Sequence, residues 1–223
     1  EGKPLSELDL SGTAPTELVL LGPDEVRVTT GDKLAITVEG DDALKDQMRF
    51  TLKDGALGIL RKDKTFSGSD KPAIVNVTMP APSELVMAGS GKITAGALAS
   101  TAKVTIAGSG QIETTAVQSD TLDVTIAGSG NYRAVGNVKS LKLTVAGSGS
   151  AGMDALKAET AKVTIAGSGS TTFASDGDVD ATIMGSGDVT VKGRARCKVS
   201  AMGSGKLTCE SGPAAKAEPA AAE

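Results

Sequence analysis

Hydrophobic and polar residues alternate with a period of two along most of the chain, and one tripeptide recurs within the alternation. Alternation of this kind predicts β-strands that turn one face inward. The tripeptide Gly-Ser-Gly (GSG) occurs seven times between Gly89 and Gly205, at intervals of 18 to 20 residues. These intervals are too short for a βαβ crossover, and no segment shows convincing helical periodicity. A repeat of this length predicts a solenoid.

Alignment of the repeats on the first glycine of each tripeptide separates inward from outward positions. The residues two before that glycine are apolar: Met87, Ile106, Ile126, Val145, Ile165, Ile183 and Ala201. The residues three before it are mostly threonine and face outward: Val86, Thr105, Thr125, Thr144, Thr164, Thr182 and Ser200. A third apolar position occurs within the longer repeats, at Leu98, Val117, Val138 and Leu156.

Each unit is therefore predicted to run as strand, GSG corner, strand and looser return. Equivalent strands should stack in parallel, ~4.8 Å apart. The predicted fold class is all-β, a single-stranded parallel β-helix with a narrow core of small aliphatic side chains and irregular N-terminal coils.

Residues 1–80 lack the GSG tripeptide but keep the alternation. ELVLL (17–21) and EVRVTT (25–30) flank a GPD corner, and MRFTL (48–52) and ALGIL (56–60) flank KDG. We interpret this part as wider coils that cover the N-terminal end of the solenoid, because solenoids need atypical ends. Residues 81–210 form the regular GSG-repeat β-helix, in one continuous domain with residues 1–80. Residues 211–223 are rich in alanine, proline and charge, which predicts a disordered tail.

Composition narrows the classes of function. Only 2% of the 223 residues are aromatic, whereas 28 are glycine, as a thin core requires. The net charge of −4, with acids and bases mixed along the chain, argues against a nucleic-acid partner. The chain has no histidine, which excludes Ser-His-Asp and Cys-His catalysis and imidazole metal sites. We therefore expect no cofactor and no metal. Because the sequence begins at Glu1 rather than Met, we interpret it as a mature or trimmed form.

One repeat, AGSGKIT at 88–94, is similar to a phosphate-binding loop. A Walker-type loop needs G-x-x-x-x-G-K-[ST] and then a helix, but Val86 replaces its first glycine and Ile93 its Ser or Thr. A strand is predicted next, so the helix N-terminus that would hold an anion is missing. We interpret the glycines as structural corners, since glycine adopts a positive φ without strain, and expect the serines to stack into a hydrogen-bonded ladder. The corner residues are Gly89, Gly91, Gly108, Gly110, Gly128, Gly130, Gly147, Gly149, Gly167, Gly169, Gly185, Gly187, Gly203 and Gly205.

The junction VNVTMPAPSELVMAGSG (75–91) and the tandem VTIAGSG repeats resemble the head GIN domain of putative auto-transporter adhesins. The resemblance covers residues 5–210. It implies a right-handed β-helix and a place in the bacterial cell envelope, in the periplasm or at the outer-membrane surface, or secretion. The resemblance also implies an adhesive role, and it identifies no catalytic residues.

The two cysteines, Cys197 and Cys209, lie six residues before and six residues after Gly203. Both take the inward register in the last coil, and two interpretations stay open. An oxidising envelope favours a disulfide, which we expect if the last coil narrows into a hairpin centred on Gly203. An open coil is expected to hold the two positions too far apart, leaving free thiols as small buried apolar groups.

The leading hypothesis is a non-catalytic envelope or secreted protein that presents a rigid surface. Its outward face carries one ladder of charges: Lys103, Asp123, Lys142, Lys162, Asp180 and Lys198. The expected partners are a cell-surface glycan or protein, or further copies of the chain through solenoid edges or faces.

Two other functions compete with this hypothesis. The alternative is a carbohydrate-active β-helix enzyme, a lyase or hydrolase, in which Asp178, Asp180 and Asp188 supply the carboxylates, with Arg194 and Arg196 nearby. The scarcity of aromatic platforms for sugar rings argues against it. Ice binding through the threonine ladder is the third hypothesis, and the charged ladder beside the threonines argues against it.

Overall fold

The computed structural model describes residues 2–62 and 71–210. The strands of the N-terminal part are β1 (Glu17–Leu21), β2 (Glu25–Thr30), β3 (Ala35–Glu39), β4 (Met48–Lys53), β5 (Ala56–Arg61) and β6 (Ile74–Met79). Those of the repeats are β7 (Glu84–Gly89), β8 (Lys92–Ala95), β9 (Thr101–Gly108), β10 (Gln111–Gly128), β11 (Asn131–Gly147), β12 (Ser150–Gly167), β13 (Ser170–Ser175), β14 (Asp178–Gly185), β15 (Asp188–Lys192), β16 (Arg196–Gly203) and β17 (Lys206–Cys209). A short 3₁₀ turn covers Leu5–Glu7, and the helix α1 covers Asp42–Gln47. The predicted tail, residues 211–223, lies outside the described residues.

The strands coil into a β-solenoid, and two parallel walls meet at the GSG corners. The first wall leads into the corners and contains β5, β1, β7, β9, the C-terminal halves of β10, β11 and β12, then β14 and β16. The second wall leads away from the corners and contains β6, β2, β8, the N-terminal halves of β10 to β12, then β13, β15 and β17. In the middle coils one long strand bends from the second wall round to the first. The all-β solenoid predicted from the repeat is confirmed.

The repeat alignment agrees with the strand register residue by residue. Ile126 is paired with Ile106 on one side and Val145 on the other, and all three side chains are fully buried. The core is a stack of such ladders. Its single tyrosine, Tyr132, is buried in the second wall, where its hydroxyl lies 2.8 Å from the Thr114 hydroxyl. Burial raises the pKa of Tyr132.

Replacing Ile126 with alanine is expected to lower the free energy of unfolding by about 2–5 kcal/mol, because the stacked coils cannot collapse into the cavity. Replacing Thr125, its neighbour on the outer face, is expected to cost only about 0–1 kcal/mol. Urea unfolding of both variants measures the difference. Equal losses of unfolding free energy in the two variants would contradict the assignment of Ile126 to the buried face and Thr125 to the outer face.

The N-terminal coils do not stack in the order of the chain. β1 lies between β5 and β7, and β2 lies between β6 and β8. The coil of residues 56–79 therefore packs outside the coil of residues 17–30. The chain returns along the solenoid to reach the first GSG coil.

Two strands and a helix at this end depart from the predicted coils. β3 pairs antiparallel with β6, and β4 pairs antiparallel with β5. The KDG segment is thus a hairpin turn, with positive φ at Asp54 (53°) and Gly55 (81°), as the turn of a two-residue Asp-Gly hairpin requires. The helix α1 was also missed. Its N-cap is Asp41, whose side chain accepts a hydrogen bond from the Leu44 N–H (2.9 Å).

A buried ion pair joins two of these coils. Asp24, in the GPD corner, and Arg61, at the end of β5, have side chains no more than 1% exposed. Arg61 donates to both Asp24 oxygens, at 2.6 Å from Nη2 to Oδ1 and 3.0 Å from Nε to Oδ2. Asp24 also accepts the Ala73 N–H at 2.9 Å. The pair holds β2, β5 and the start of β6 in register.

The described residues contain no helix with the length and hydrophobicity of a membrane span.

Candidate functional site

An open groove of about 630 Å³ lies on the corner opposite the GSG corners. It is lined by Gln118, Ser119, Asp120, Asn137, Val138, Lys139, Lys157, Ala158, Glu159, Asp176 and Gly177. We call this surface the polar groove. It crosses four coils, three steps of ~4.8 Å, and is therefore ~14 Å long.

Irregular pairing in the long strands forms the floor of the polar groove. The register shifts between Thr114 and Val117 and again between Arg133 and Val135. As a result Val138 stacks on Ser119 and Ala158, and these three side chains are buried as the floor. Val138 therefore does not share a ladder with the other apolar residues aligned with it in the sequence. The sequence alignment of Val138 with Val117 and Leu156 was therefore wrong, because the β-bulge shifts the register and pairs those two residues with Gly136.

Exposed polar side chains form the two rims. On one side Gln118, Asn137 and Lys157 are stacked in register. On the other side lie Asp120, Lys139, Glu159 and Asp176. Among the described residues, each charged side chain of the two rims except one has an ion-pair partner. Lys139 contacts Asp120 (2.5 Å) and Lys157 contacts Asp176 (2.6 Å). Glu159 is the exception.

The two ion pairs lower the pKa values of their carboxylates. The Lys139 ammonium, and then the Ser100 hydroxyl, hold the pKa of Asp120 below its usual value. The Lys157 ammonium, and then the Arg194 N–H, do the same for Asp176. Both carboxylates thus stay ionised at neutral pH. A general acid needs the opposite shift, so neither side chain is suited to protonate a leaving group.

The polar groove offers hydrogen-bond donors and acceptors side by side along its length. Amides supply both kinds of group, carboxylates accept and ammonium groups donate. Its charged residues are three acids and two lysines, which leaves one net negative charge. No aromatic ring lines it. Such a surface suits an extended, uncharged ligand rich in hydroxyl groups.

The structure places the three aspartates of the proposed enzyme on one coil but on two walls. Asp178 and Asp180 lie on β14, while Asp188 lies on β15 beyond the Gly185–Gly187 corner. Each is paired in register with a cation of the last coil: Asp178 with Arg196, Asp180 with Lys198 and Asp188 with Lys206. Arg196 donates to both oxygens of Asp178, at 2.8 and 3.1 Å. The aspartate cluster is thus one rung of a charge ladder. Of the predicted neighbours, Arg194 turns its backbone N–H to Asp176 instead (3.0 Å).

In residues 2–62 and 71–210, no group of three or more Asp, Glu or Cys side chains could hold a metal ion. The GSGK segment continues into the strand β8 at Lys92 instead of a helix. Lys92 itself forms an ion pair with Glu113 (3.3 Å).

The two glycines of each tripeptide serve different purposes. The first has φ between 114° and 132° in all seven repeats. A Cβ atom at Gly128 would also lie 2.6 Å from the Gly108 carbonyl oxygen of the preceding coil. The second glycine has ordinary φ, but a Cβ at Gly110 would lie 2.6 Å from Cγ of Met87. Both positions thus exclude larger residues, the first by backbone conformation and both by the close approach of neighbouring coils.

The ladder along the GSG corner is made by the backbone. Ser129 N–H donates to the Gly108 carbonyl (2.9 Å), and Ser148 N–H donates to the Gly128 carbonyl (3.0 Å). The expected ladder of serine side chains was wrong: in the described coils no hydrogen bond joins one tripeptide hydroxyl to the next. In these coils the corner is held by backbone hydrogen bonds and not by the serine hydroxyl groups.

Cys197 and Cys209 form a disulfide across the last coil, with their Cα atoms 6.5 Å apart. β16 and β17 pair with β14 and β15 respectively, and not with each other, so this coil is open. The expectation that only a hairpin would bring the cysteines together was wrong. The open coil is narrow enough to satisfy the ~7 Å limit of a disulfide. The bond ties the two walls together at the end of the solenoid.

Comparison with known proteins gives a family and a fold. The family model for "putative auto-transporter adhesin, head GIN domain" matches residues 14–195. No curated protein matches the chain. A putative adhesin from Bacteroides fragilis has a solved structure similar to this one, with a TM-score of 0.81 and 18% identity over 88% of this chain and 92% of that chain.

Two further solved structures share the fold. A putative lipid binding protein from Parabacteroides distasonis is 22% identical, with a TM-score of 0.68 over 89% of this chain and 94% of that chain. A putative adhesin from Parabacteroides merdae is 19% identical, with a TM-score of 0.69 over 88% of this chain and 92% of that chain. The match to the family model spans most of the chain, and the protein therefore belongs to the head GIN domain family of putative auto-transporter adhesins.

Proposed function

We propose that this chain is a non-catalytic binding module of the bacterial cell envelope, or a secreted one, and that the polar groove binds a glycan. The observation that carries the proposal is the run of amide, carboxylate and ammonium groups across four coils. A sugar hydroxyl both donates and accepts hydrogen bonds, so it can use each of these groups in turn. The family name, which is that of an adhesin, supports a role at the cell surface.

Rigidity and weak internal pairing suit the polar groove to binding. Its rim residues other than Asp176 lie on the strands β10, β11 and β12. Little order therefore has to be gained when a ligand binds. The ion pairs in the rims are exposed, and exposed pairs contribute little to stability, a median of about 0–1 kcal/mol. A ligand can therefore exchange these contacts for its own.

Two observations favour binding over catalysis. The aspartates considered for an enzyme are matched in register by cations on the next coil. The rim carboxylates with shifted pKa values, Asp120 and Asp176, are both shifted downward. Neither group has the raised pKa of a general acid in a glycosidase.

A glycan array probed with the full-length chain tests the proposal. We expect binding to one class of glycan, and the double variant Gln118→Ala, Asn137→Ala is expected to bind that glycan about 5- to 150-fold more weakly. This range corresponds to two hydrogen-bonding side chains at about 0.5–1.5 kcal/mol each. Asn131→Ala is the matched control, because Asn131 is an exposed amide beside the GSG corner, outside the polar groove. Failure to bind any glycan, or an equal loss with Asn131→Ala, would contradict the proposal.

A further inference from the structure

The two ends of the solenoid differ in how they are closed. At the N-terminal end β3 and β4 pair antiparallel with the outermost coil, Lys3 pairs with Phe50 of β4, and the Phe50 side chain is buried. At the C-terminal end, β16 pairs with β14 alone and β17 with β15 alone among the described residues, so the outer edges of β16 and β17 have no strand partner there. An edge of this kind presents a row of unpaired backbone N–H and C=O groups.

The same end exposes apolar side chains that are buried or replaced elsewhere. Val199 continues an inward ladder from Ala181, yet it is 52% exposed, because no further coil of the described residues covers it. Met202 is 74% exposed and is paired in register with Met184, which is 46% exposed. The earlier coils carry alanine at that outward position, at Ala88, Ala107, Ala127, Ala146 and Ala166. Three of the five large apolar residues exposed in the described chain thus lie on the last two coils.

The outward charges change sign between these two coils. The second-last coil carries Asp178, Asp180 and Asp188, and the last coil carries cations at the same registers. These cations, Arg196, Lys198 and Lys206, are exposed. A strand added to the last coil would meet all three of them at its own outward positions.

We propose that this open end, defined by β16 and β17 and here called the terminal edge, binds an extended acidic segment of a partner protein by strand addition. The unpaired backbone groups supply the hydrogen bonds and the side chains the selectivity, as in other β-augmented complexes. Acidic side chains at outward positions would pair with the three cations, and small apolar ones would cover Val199. The Cys197–Cys209 disulfide ties the two strands together before the partner arrives.

Charge and hydrogen bonding favour this occupant over two others. A second copy of the chain, joined through the same edge, would bring three cations against three cations. An anionic membrane surface would match the charge and the methionines but would leave the strand edges without backbone partners. An acidic strand satisfies both requirements.

The chain itself supplies the probe, because its acidic coil is already paired with these strands on their other side. A fluorescein-labelled peptide with the sequence of residues 178–192, DVDATIMGSGDVTVK, is titrated against the full-length protein and followed by fluorescence anisotropy. We expect saturable binding that weakens as salt is added. The same peptide with lysine at its three aspartate positions is expected to bind at least about tenfold more weakly, because like charges then face each other.

Charge-reversed variants locate the site. The double variant Lys198→Asp, Lys206→Asp is expected to lose binding of the acidic peptide and to gain binding of the lysine peptide. Lys162→Asp is the matched control, because Lys162 lies on the same outward ladder in the middle of the solenoid, and it is expected to change neither. Circular dichroism checks that each variant keeps its strand content.

Three results would overturn the proposal. The first is equal binding of the two peptides, or an equal loss of binding with Lys162→Asp. The second is a dimer in light scattering that Lys198→Asp dissociates, which would make a second copy the occupant. The third is binding to phosphatidylglycerol vesicles, lost with the same variant, without binding of the peptide.

Discussion

Replacing Gly128 with valine is expected to lower the free energy of unfolding by roughly 2–6 kcal/mol. A non-glycine residue at its φ of 114° carries strain, about 1–3 kcal/mol for a residue held in such a region. Overpacking against the preceding coil adds about 1–3 kcal/mol, because the new Cβ would lie 2.6 Å from the Gly108 carbonyl oxygen. The coils are hydrogen-bonded on both sides of this corner, so the backbone cannot move away without breaking the ladder. Urea unfolding followed by circular dichroism measures the loss.

Two controls separate the corner from the general effect of valine. Ser129→Val changes the exposed middle residue of the same tripeptide and is expected to alter stability by no more than about 0.5 kcal/mol. Gly152→Val places valine at an outward strand position where a Cβ meets no atom within 4 Å. It is expected to leave stability unchanged or to raise it, since valine favours strands. A cost at Gly152 as large as at Gly128 would refute the corner interpretation.

Replacing Asp24 with alanine is expected to destabilise the protein by about 3–5 kcal/mol, the usual cost of removing one partner from a buried ion pair. The variant removes the Asp24 carboxylate, which accepts from the buried Arg61 guanidinium at 2.6 Å. It also removes the acceptor of the Ala73 N–H. The loss should appear first in the N-terminal coils, as faster amide hydrogen exchange in β5 and β6 than in the repeats.

The exposed ion pair between Arg27 and Glu25 provides the comparison. It lies on the strand that follows Asp24, and its Arg27 side chain is 49% exposed. Arg27→Ala is expected to cost less than about 1 kcal/mol, because solvent already screens the exposed pair. If the two variants were equally stable, burial of the Asp24–Arg61 pair would have no energetic consequence.

The ion pairs along the outer face of the repeats are exposed, like the Arg27–Glu25 pair. Lys103 contacts Glu84 (3.0 Å) and Lys142 contacts Asp123 (3.2 Å), each across one step of the solenoid. These pairs are exposed and therefore contribute little to stability. Their main effect is to favour stacking of coils that carry opposite charges at the same register. At the terminal edge no further coil of the described chain continues this ladder, and the outer side of its exposed cations is available to a partner.

Amino-acid sequence alone was enough to predict the solenoid, the inward and outward positions and the corner glycines of the repeats. The reason is that this information is local and is repeated. Alternation with a period of two sets which face of a strand is buried, and repetition every 18 to 20 residues shows which residues must stack. The stacked ladder through Ile106, Ile126 and Val145 therefore agrees with the alignment. Two other local signals were present but not used: the Asp-Gly hairpin at Asp54–Gly55 and the aspartate cap before α1.

The three-dimensional structure was needed to establish the order of the N-terminal coils, the Asp24–Arg61 pair, the polar groove and the open disulfide-linked coil. Each depends on contacts between residues far apart in the chain, or on small shifts within a strand. The Asp24–Arg61 pair spans 37 residues that do not repeat, so no periodicity points to it. The groove floor depends on bulges, and a shift of one residue moves Val138 from one ladder to another. Two adjacent walls brought the cysteines within bonding distance, because the width of a coil is set by the side chains packed inside it and not by the spacing of its residues.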